Sequence, residues 1–214
     1  MTTLKNEIPT ASYALLASGA NFSCEVLQAL RQRNYLPRLL VLPEYPPASE
    51  IRVAHEVMQS TAPQRRLLQR AQGLEIGYAP KAQQADCAYL IKRYAIDFLL
   101  VACWPYLIDN ILIDSARKAA LNMHPSLLPE FRGPDPLEQQ LASGQCNFGV
   151  SLHLLSQQFD RGDIIAQAEL GDLDRTPQRS CLEQRCAVLG TELFIAAVRQ
   201  HQQGWKPIRQ DPPG

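Results

Sequence analysis

The chain has 214 residues, 46% of them hydrophobic, enough for one well-buried core and for one domain or a domain with a small appendage. Its 21 Lys and Arg are matched by 21 Asp and Glu, so there is no global field to hold a polyanion by counterion release, and nucleic acid is disfavoured as the main partner. The opening MTTLKNEIPT has no basic stretch followed by an apolar one, and no window approaches a membrane span; the expectation is a cytoplasmic enzyme with no membrane contact. The cysteines (Cys24, Cys87, Cys103, Cys146, Cys181, Cys186) form no CxxC pair and no cysteine-histidine cluster, so reduced, mostly structural thiols and no metal are expected.

The apolar run Tyr13 to Ser18, the Gly19-Ala20-Asn21 turn and the helically spaced Phe22, Val26, Leu27 and Leu30 predict strand, turn and helix, with Asn21 as N-cap. Arg38 to Pro43 predicts a second strand, and the Pro-rich EYPPAS after it a loop. Pro63 to Gln72 suits a helix, Leu74 to Tyr78 a short strand and Ala82 to Tyr94 an amphipathic helix. Phe98 to Cys103 is a continuous apolar run, as in a parallel strand covered on both faces. WPYLIDNILIDSARK bridges it to a strand at Ala119 to His124.

After His124 the pattern changes. PSLLPEFRGPDP predicts a loop and LEQQLASG a short helix, while Gly149 to Leu155 and Ile164 to Leu170 are closely joined strands and so antiparallel. A long helix is expected from near Thr176, and WKPIRQDPPG has the composition of a tail. The expected fold class is α/β, a three-layer, Rossmann-like, mostly parallel sheet with a C-terminal antiparallel strand pair and a long C-terminal helix. One domain spanning residues 1–214 is expected, with 1–11 and 206–214 as tails. The long helix could pack on its own sheet or on a second subunit, which leaves a homo-oligomer open.

Asn122 and His124 fall where the Ala119–His124 strand should end, the usual place for a ligand in an open parallel sheet. Two residues apart on a strand, they share a face. A carboxamide and an imidazole there could stabilise the oxyanion of acyl transfer, and the imidazole could relay a proton. Asp160, in the QFDRGD turn, is a candidate carboxylate to orient His124 and raise its pKa. Taken singly, each residue also reads as ordinary structure: a capping Asn, a His satisfied by the backbone, a turn Asp beside Gly162. His153 reads as a core histidine or a support for the Asp160 turn, and His55 and His201 as solvated. Ser126 lacks a G-x-S-x-G elbow, and Ser18-Gly19-Ala20-Asn21 lacks the glycines and lysine of a phosphate loop.

The run Asn122-Met-His124-Pro-Ser-Leu-Leu-Pro129-Glu-Phe-Arg-Gly133 resembles the signature of the folate-dependent formyltransferases, which include methionyl-tRNA, glycinamide ribonucleotide and sugar N-formyltransferases. Gly149 to His153 and Phe159 to Gln167 are similar to the strand-turn-strand that carries the family's Asp, and the similarity runs from about Tyr13 to Leu170. The resemblance implies catalytic roles for Asn122, His124 and Asp160 and formyl-tetrahydrofolate as co-substrate. It also implies a pteridine site on the main chain of Tyr106, Leu107 and Ile108. Packing beneath the loop is an equal reading for Trp104 and Tyr106. The implied reaction is formyl transfer to a primary amine of a small molecule through a tetrahedral intermediate. A formyl-tetrahydrofolate hydrolase, a methionyl-tRNA formyltransferase-like protein lacking the C-terminal domain, and a non-catalytic folate-binding descendant are the alternatives.

Overall fold

The computed structural model describes residues 9–44, 62–171 and 177–210. The expected loop from Tyr45 onward, the surface position of His55, the helix start near Thr176 and the last residues of the expected tail lie outside them.

Strand β1 (Tyr13–Ala17) leads into helix α1 (Asn21–Gln32), followed by β2 (Leu39–Leu42), α2 (Ala62–Arg70), β3 (Glu75–Tyr78), α3 (Gln84–Arg93) and β4 (Phe98–Ala102). A four-residue helix α4 (Asn110–Ile113) interrupts the bridge to β5 (Ala119–His124). Then come α5 (Pro136–Ser143), β6 (Gly149–Leu154), β7 (Ile164–Glu169) and the long helix α6 (Arg179–Gln200). The seven strands form one sheet in the order β3-β2-β1-β4-β5-β6-β7. Pairings from β3 to β5 are parallel, and those of β5 with β6 and β6 with β7 are antiparallel. The expected fold class is therefore observed.

Alternation along buried strands splits the core into two layers. Tyr13, Leu15, Ala17, Phe98, Leu100, Leu121 and Met123 face one side, where α1 and α6 cover them, while Ala14, Leu16, Leu99, Val101 and Ala120 face α3 and α4. At Gly190 of α6 a Cβ would lie 2.5 Å from Sδ of Met123, so the missing side chain lets the helix seat on β5.

Three expectations change. Asn21 is the first helical residue and Ala20 the N-cap, without a side-chain bond; the Asn21 carboxamide oxygen instead accepts from Arg66 Nη1 at 3.0 Å. His201 is half-buried, its ring 5.2 Å from that of Phe98 and 4.9 Å from that of Trp205. Residues 206–210, expected as tail, are tied down: Ile208 pairs with Ile164 through two main-chain bonds of 2.8 Å.

Candidate active site

Strand order reverses at β1, since β2 lies on one side of it and β4 on the other, and crevices in such sheets open beyond the carboxyl ends of the strands at that point. A cleft of about 640 Å³ opens there, walled by the residues after β1, β4 and β5, the start of α5, the Asp160 turn and the first turns of α6. Asn122 and His124 belong to the face of β5 that begins with Ala120, and both line the cleft.

The antiparallel register adds what parallel pairing could not. Asn122 stands directly opposite His153 and His124 opposite Ser151, and the side chains of Asn122 and His153 meet across the strands. Nδ2 of Asn122 lies 3.1 Å from Nε2 of His153 and donates to Oδ1 of Asp160 at 3.0 Å. Turning the amide over would set its oxygen against the carboxylate, so the nitrogen must point this way. Nδ1 of His153 lies 2.8 Å from the carbonyl of Leu154, which fixes its proton there and leaves Nε2 to accept from Asn122.

Nε2 of His124 is 2.8 Å from the carbonyl of Phe131 and must carry a proton, whereas Nδ1 faces Oδ1 of Asp160 at 3.5 Å. Burial lowers the pKa of His124 below its ordinary 6.5, outweighing the raising effects of Asp160 and the Phe131 carbonyl, and His153 lowers it further. The ring is thus neutral near pH 7, contrary to the expectation that Asp160 raises its pKa overall: an imidazole so enclosed loses more hydration than one carboxylate returns. Burial also acts to raise Asp160, but His153 and His124 in their cationic forms, and the Gly133 N–H, which donates to Oδ2 at 2.8 Å, together hold it below its ordinary 3.8. Asp160 is ionised.

Two backbone features present these groups. Asp160 and Phe131 both sit at φ 54, left-handed conformations that an L residue keeps only when its surroundings hold it. At Gly162 a Cβ would lie 1.8 Å from the carbonyl oxygen of Leu154, so only glycine lets the turn close on β6. Oγ of Ser151 donates to the carbonyl of Ser126 at 2.6 Å and accepts from the N–H of Leu128 at 3.0 Å, anchoring the loop after His124.

The other expected contacts lie on a second wall. Tyr106, Leu107 and Ile108 line the cleft with Trp104 and Pro105, Leu107 exposed and Ile108 buried. Gln84, buried on α3 and not singled out from sequence, holds this loop with both ends of its carboxamide: Nε2 donates to the carbonyl of Leu107 at 3.1 Å, and Oε1 accepts from the N–H of Asp109 at 2.9 Å. Nε1 of Trp104 is buried with no partner among the described residues. A mostly apolar wall with fixed main chain and one unmet donor fits a flat heterocycle such as a pteridine. Tyr106 donates its hydroxyl to Glu44 at 2.9 Å.

Across the cleft, Arg179 reaches Asp135 at 2.8 Å, Glu138 at 3.3 Å and Glu183 at 3.2 Å. It is the only Lys or Arg among the described residues lining the cleft, and three carboxylates surround it. No group of histidines, cysteines and carboxylates arranged to hold a metal occurs among the described residues, and no described helix is long and apolar enough to cross a membrane.

The chain is 32% identical over 145 residues to a methionyl-tRNA formyltransferase of Anaeromyxobacter dehalogenans, covering 66% of this chain and 46% of that one. A methionyl-tRNA formyltransferase of Ligilactobacillus salivarius is 25% identical over 177 residues, 83% of this chain and 54% of that one. The chain thus spans about half the length of these relatives. Glycinamide ribonucleotide transformylase 1 from Symbiobacterium toebii shares the fold with a TM-score of 0.68 at 20% identity, over 97% of this chain and 96% of the other. A formyltetrahydrofolate deformylase from Pseudomonas syringae pv. tomato does so with a TM-score of 0.63 at 16% identity, over 94% and 66%. The profile of the formyl transferase family matches residues 14–198, and the chain belongs to that family.

Proposed function

We propose that this chain, acting as a single catalytic domain, transfers a formyl group from formyl-tetrahydrofolate to a primary amine of a small molecule. The observation that carries the reading is the convergence of Asn122, His124 and Asp160 at one end of a cleft whose other wall is apolar. When bound, formyl-tetrahydrofolate would supply an activated formyl carbon, and the main chain of Tyr106, Leu107 and Ile108 would hold its pteridine.

Neutral His124 can accept the proton an attacking amine must shed. Nδ1 takes it, because Nε2 already donates to Phe131, and the resulting imidazolium is stabilised between that carbonyl and Asp160. Asn122 donates to the developing oxyanion once one of its N–H groups leaves Asp160 or His153. The proton on His124 then returns to the departing nitrogen.

Among the described residues, the three carboxylates around Arg179 leave the cleft no surplus positive charge for a phosphate, which supports an uncharged or cationic acceptor. A second reading, formylation of methionyl-tRNA, is favoured by the names of the sequence relatives. The test is incubation with formyl-tetrahydrofolate alone, then with phosphorylated and unphosphorylated amines, and with charged initiator tRNA. Amine-dependent tetrahydrofolate release that His124→Ala abolishes is expected. Formate release without an amine would mean a hydrolase, tRNA-dependent turnover the second reading, and binding without turnover a non-catalytic role.

A further inference from the structure

The carboxamide of Gln210, near the end of the described chain, is spent on the turn that carries Asp160 and on the loop whose main chain contacts His124 and Asp160. Nε2 donates to the main-chain carbonyls of Asp160 at 2.9 Å and Gly162 at 2.7 Å. Oε1 accepts from Nε and Nη2 of Arg132 at 3.0 and 2.6 Å. Arg132 lies between Phe131, whose carbonyl meets Nε2 of His124, and Gly133, whose N–H meets Asp160.

One side chain therefore ties the turn that presents Asp160 to the loop that orients His124. It is brought there by a structured segment: the indole N–H of Trp205 donates to the carbonyl of Ala197 in α6 at 2.9 Å, and Ile208 pairs with Ile164 at the start of β7. The segments it joins need outside support, since Asp160 and Phe131 both occupy left-handed conformations. Neither Gln210 nor Arg132 is among the residues lining the cleft, so they act through others.

We propose that Gln210 is a positioning residue for formyl transfer, holding the Asp160 turn against the His124 loop through Arg132. The inference rests on the reaction proposed above, and its test separates the two.

In Gln210→Ala, kcat is expected to fall about ten- to a hundredfold, the scale of a misplacement of about 1 Å, with KM for formyl-tetrahydrofolate within about twofold of wild type. In the ligand-free protein the His124 imidazole signal, followed by NMR, should titrate at lower pH than in wild type. Asp160 and His153 are the ionisable groups acting on that ring, and Asp160, which favours its charged form, would no longer be held beside it. Arg132→Met releases the same clamp from the other side, so it should reproduce both changes and add little to Gln210→Ala; it also serves if Gln210→Ala does not fold. Wild-type protein that formylates no acceptor, together with a shifted His124 titration in the variant, would refute the reaction and leave the clamp intact. An unshifted titration in a folded variant, or unchanged kcat in an active one, would overturn the clamp.

Discussion

Asn122 on β5 faces His153 on β6 across an antiparallel pair, and both hydrogens of its carboxamide are engaged inside the protein, one toward His153 and one toward Asp160. In the proposed reaction, the carboxamide that would stabilise the oxyanion is thus positioned by two neighbouring side chains. Asn122→Ala is expected to reduce kcat on the order of a hundredfold or more while leaving binding of formyl-tetrahydrofolate within a few fold, as steady-state kinetics and equilibrium titration would read. A loss confined to KM would contradict the assignment.

His124 predicts an acid limit to activity. Burial lowers its pKa, so the proton-accepting form persists below the ordinary 6.5, and turnover should fall only as pH drops through that lowered value. Asp160→Asn removes the charge that offsets part of the burial, moving the limit lower still while reducing the plateau rate. A pH profile of kcat/KM for both proteins checks this.

Stability should follow pH in the same sense. Between the ordinary value of His124 and its lowered folded value, the unfolded chain binds a proton that the folded one refuses, so stability falls as pH falls through that window. Asp160, also lowered, adds a second loss at more acidic pH. Urea unfolding between pH 7 and pH 4 should show the first loss, reduced in His124→Gln.

Gly162→Ala should be damaging although it adds one methyl group. With the Leu154 carbonyl oxygen 1.8 Å from the new Cβ, the turn must move, at a cost of about 3 kcal/mol. Activity should fall further than stability alone accounts for, because the displaced turn carries Asp160. Chemical denaturation and kcat measured on the same preparation separate the two effects.

Gln84→Leu keeps the volume and removes both bonds to the loop after β4, at about 1–3 kcal/mol for the groups left unpaired. Its expected signature is a severalfold rise in KM for formyl-tetrahydrofolate with kcat nearly preserved, the reverse of Asn122→Ala. A kcat effect as large as that of Asn122→Ala would show that the loop does more than bind.

The sheet was legible because buried parallel strands such as Phe98–Ala102 are continuous apolar runs, and the helices because their apolar spacing is regular. The position of Asn122 and His124 followed from the strand ending at His124. Less accessible was α4, a single turn too short to show a period inside WPYLIDNILIDSARK. Asn21 has the composition of a cap, but the helix starts one residue earlier and its side chain goes to Arg66. Gln84 and Gln210 had no local signal, since glutamines are common on surfaces and the partners of Gln210 lie 48 to 78 residues away. The tail composition of WKPIRQDPPG misled because pairing with Ile164 is a tertiary event.

The carbonyl of Leu154 receives the Nδ1 proton of His153 and forbids a side chain at position 162. Anyone grafting a new acceptor loop onto this scaffold should therefore treat Leu154 to Gly162 as one cassette. Shifting its first residue would alter a histidine tautomer and a steric requirement together, and neither could be repaired by optimising the other.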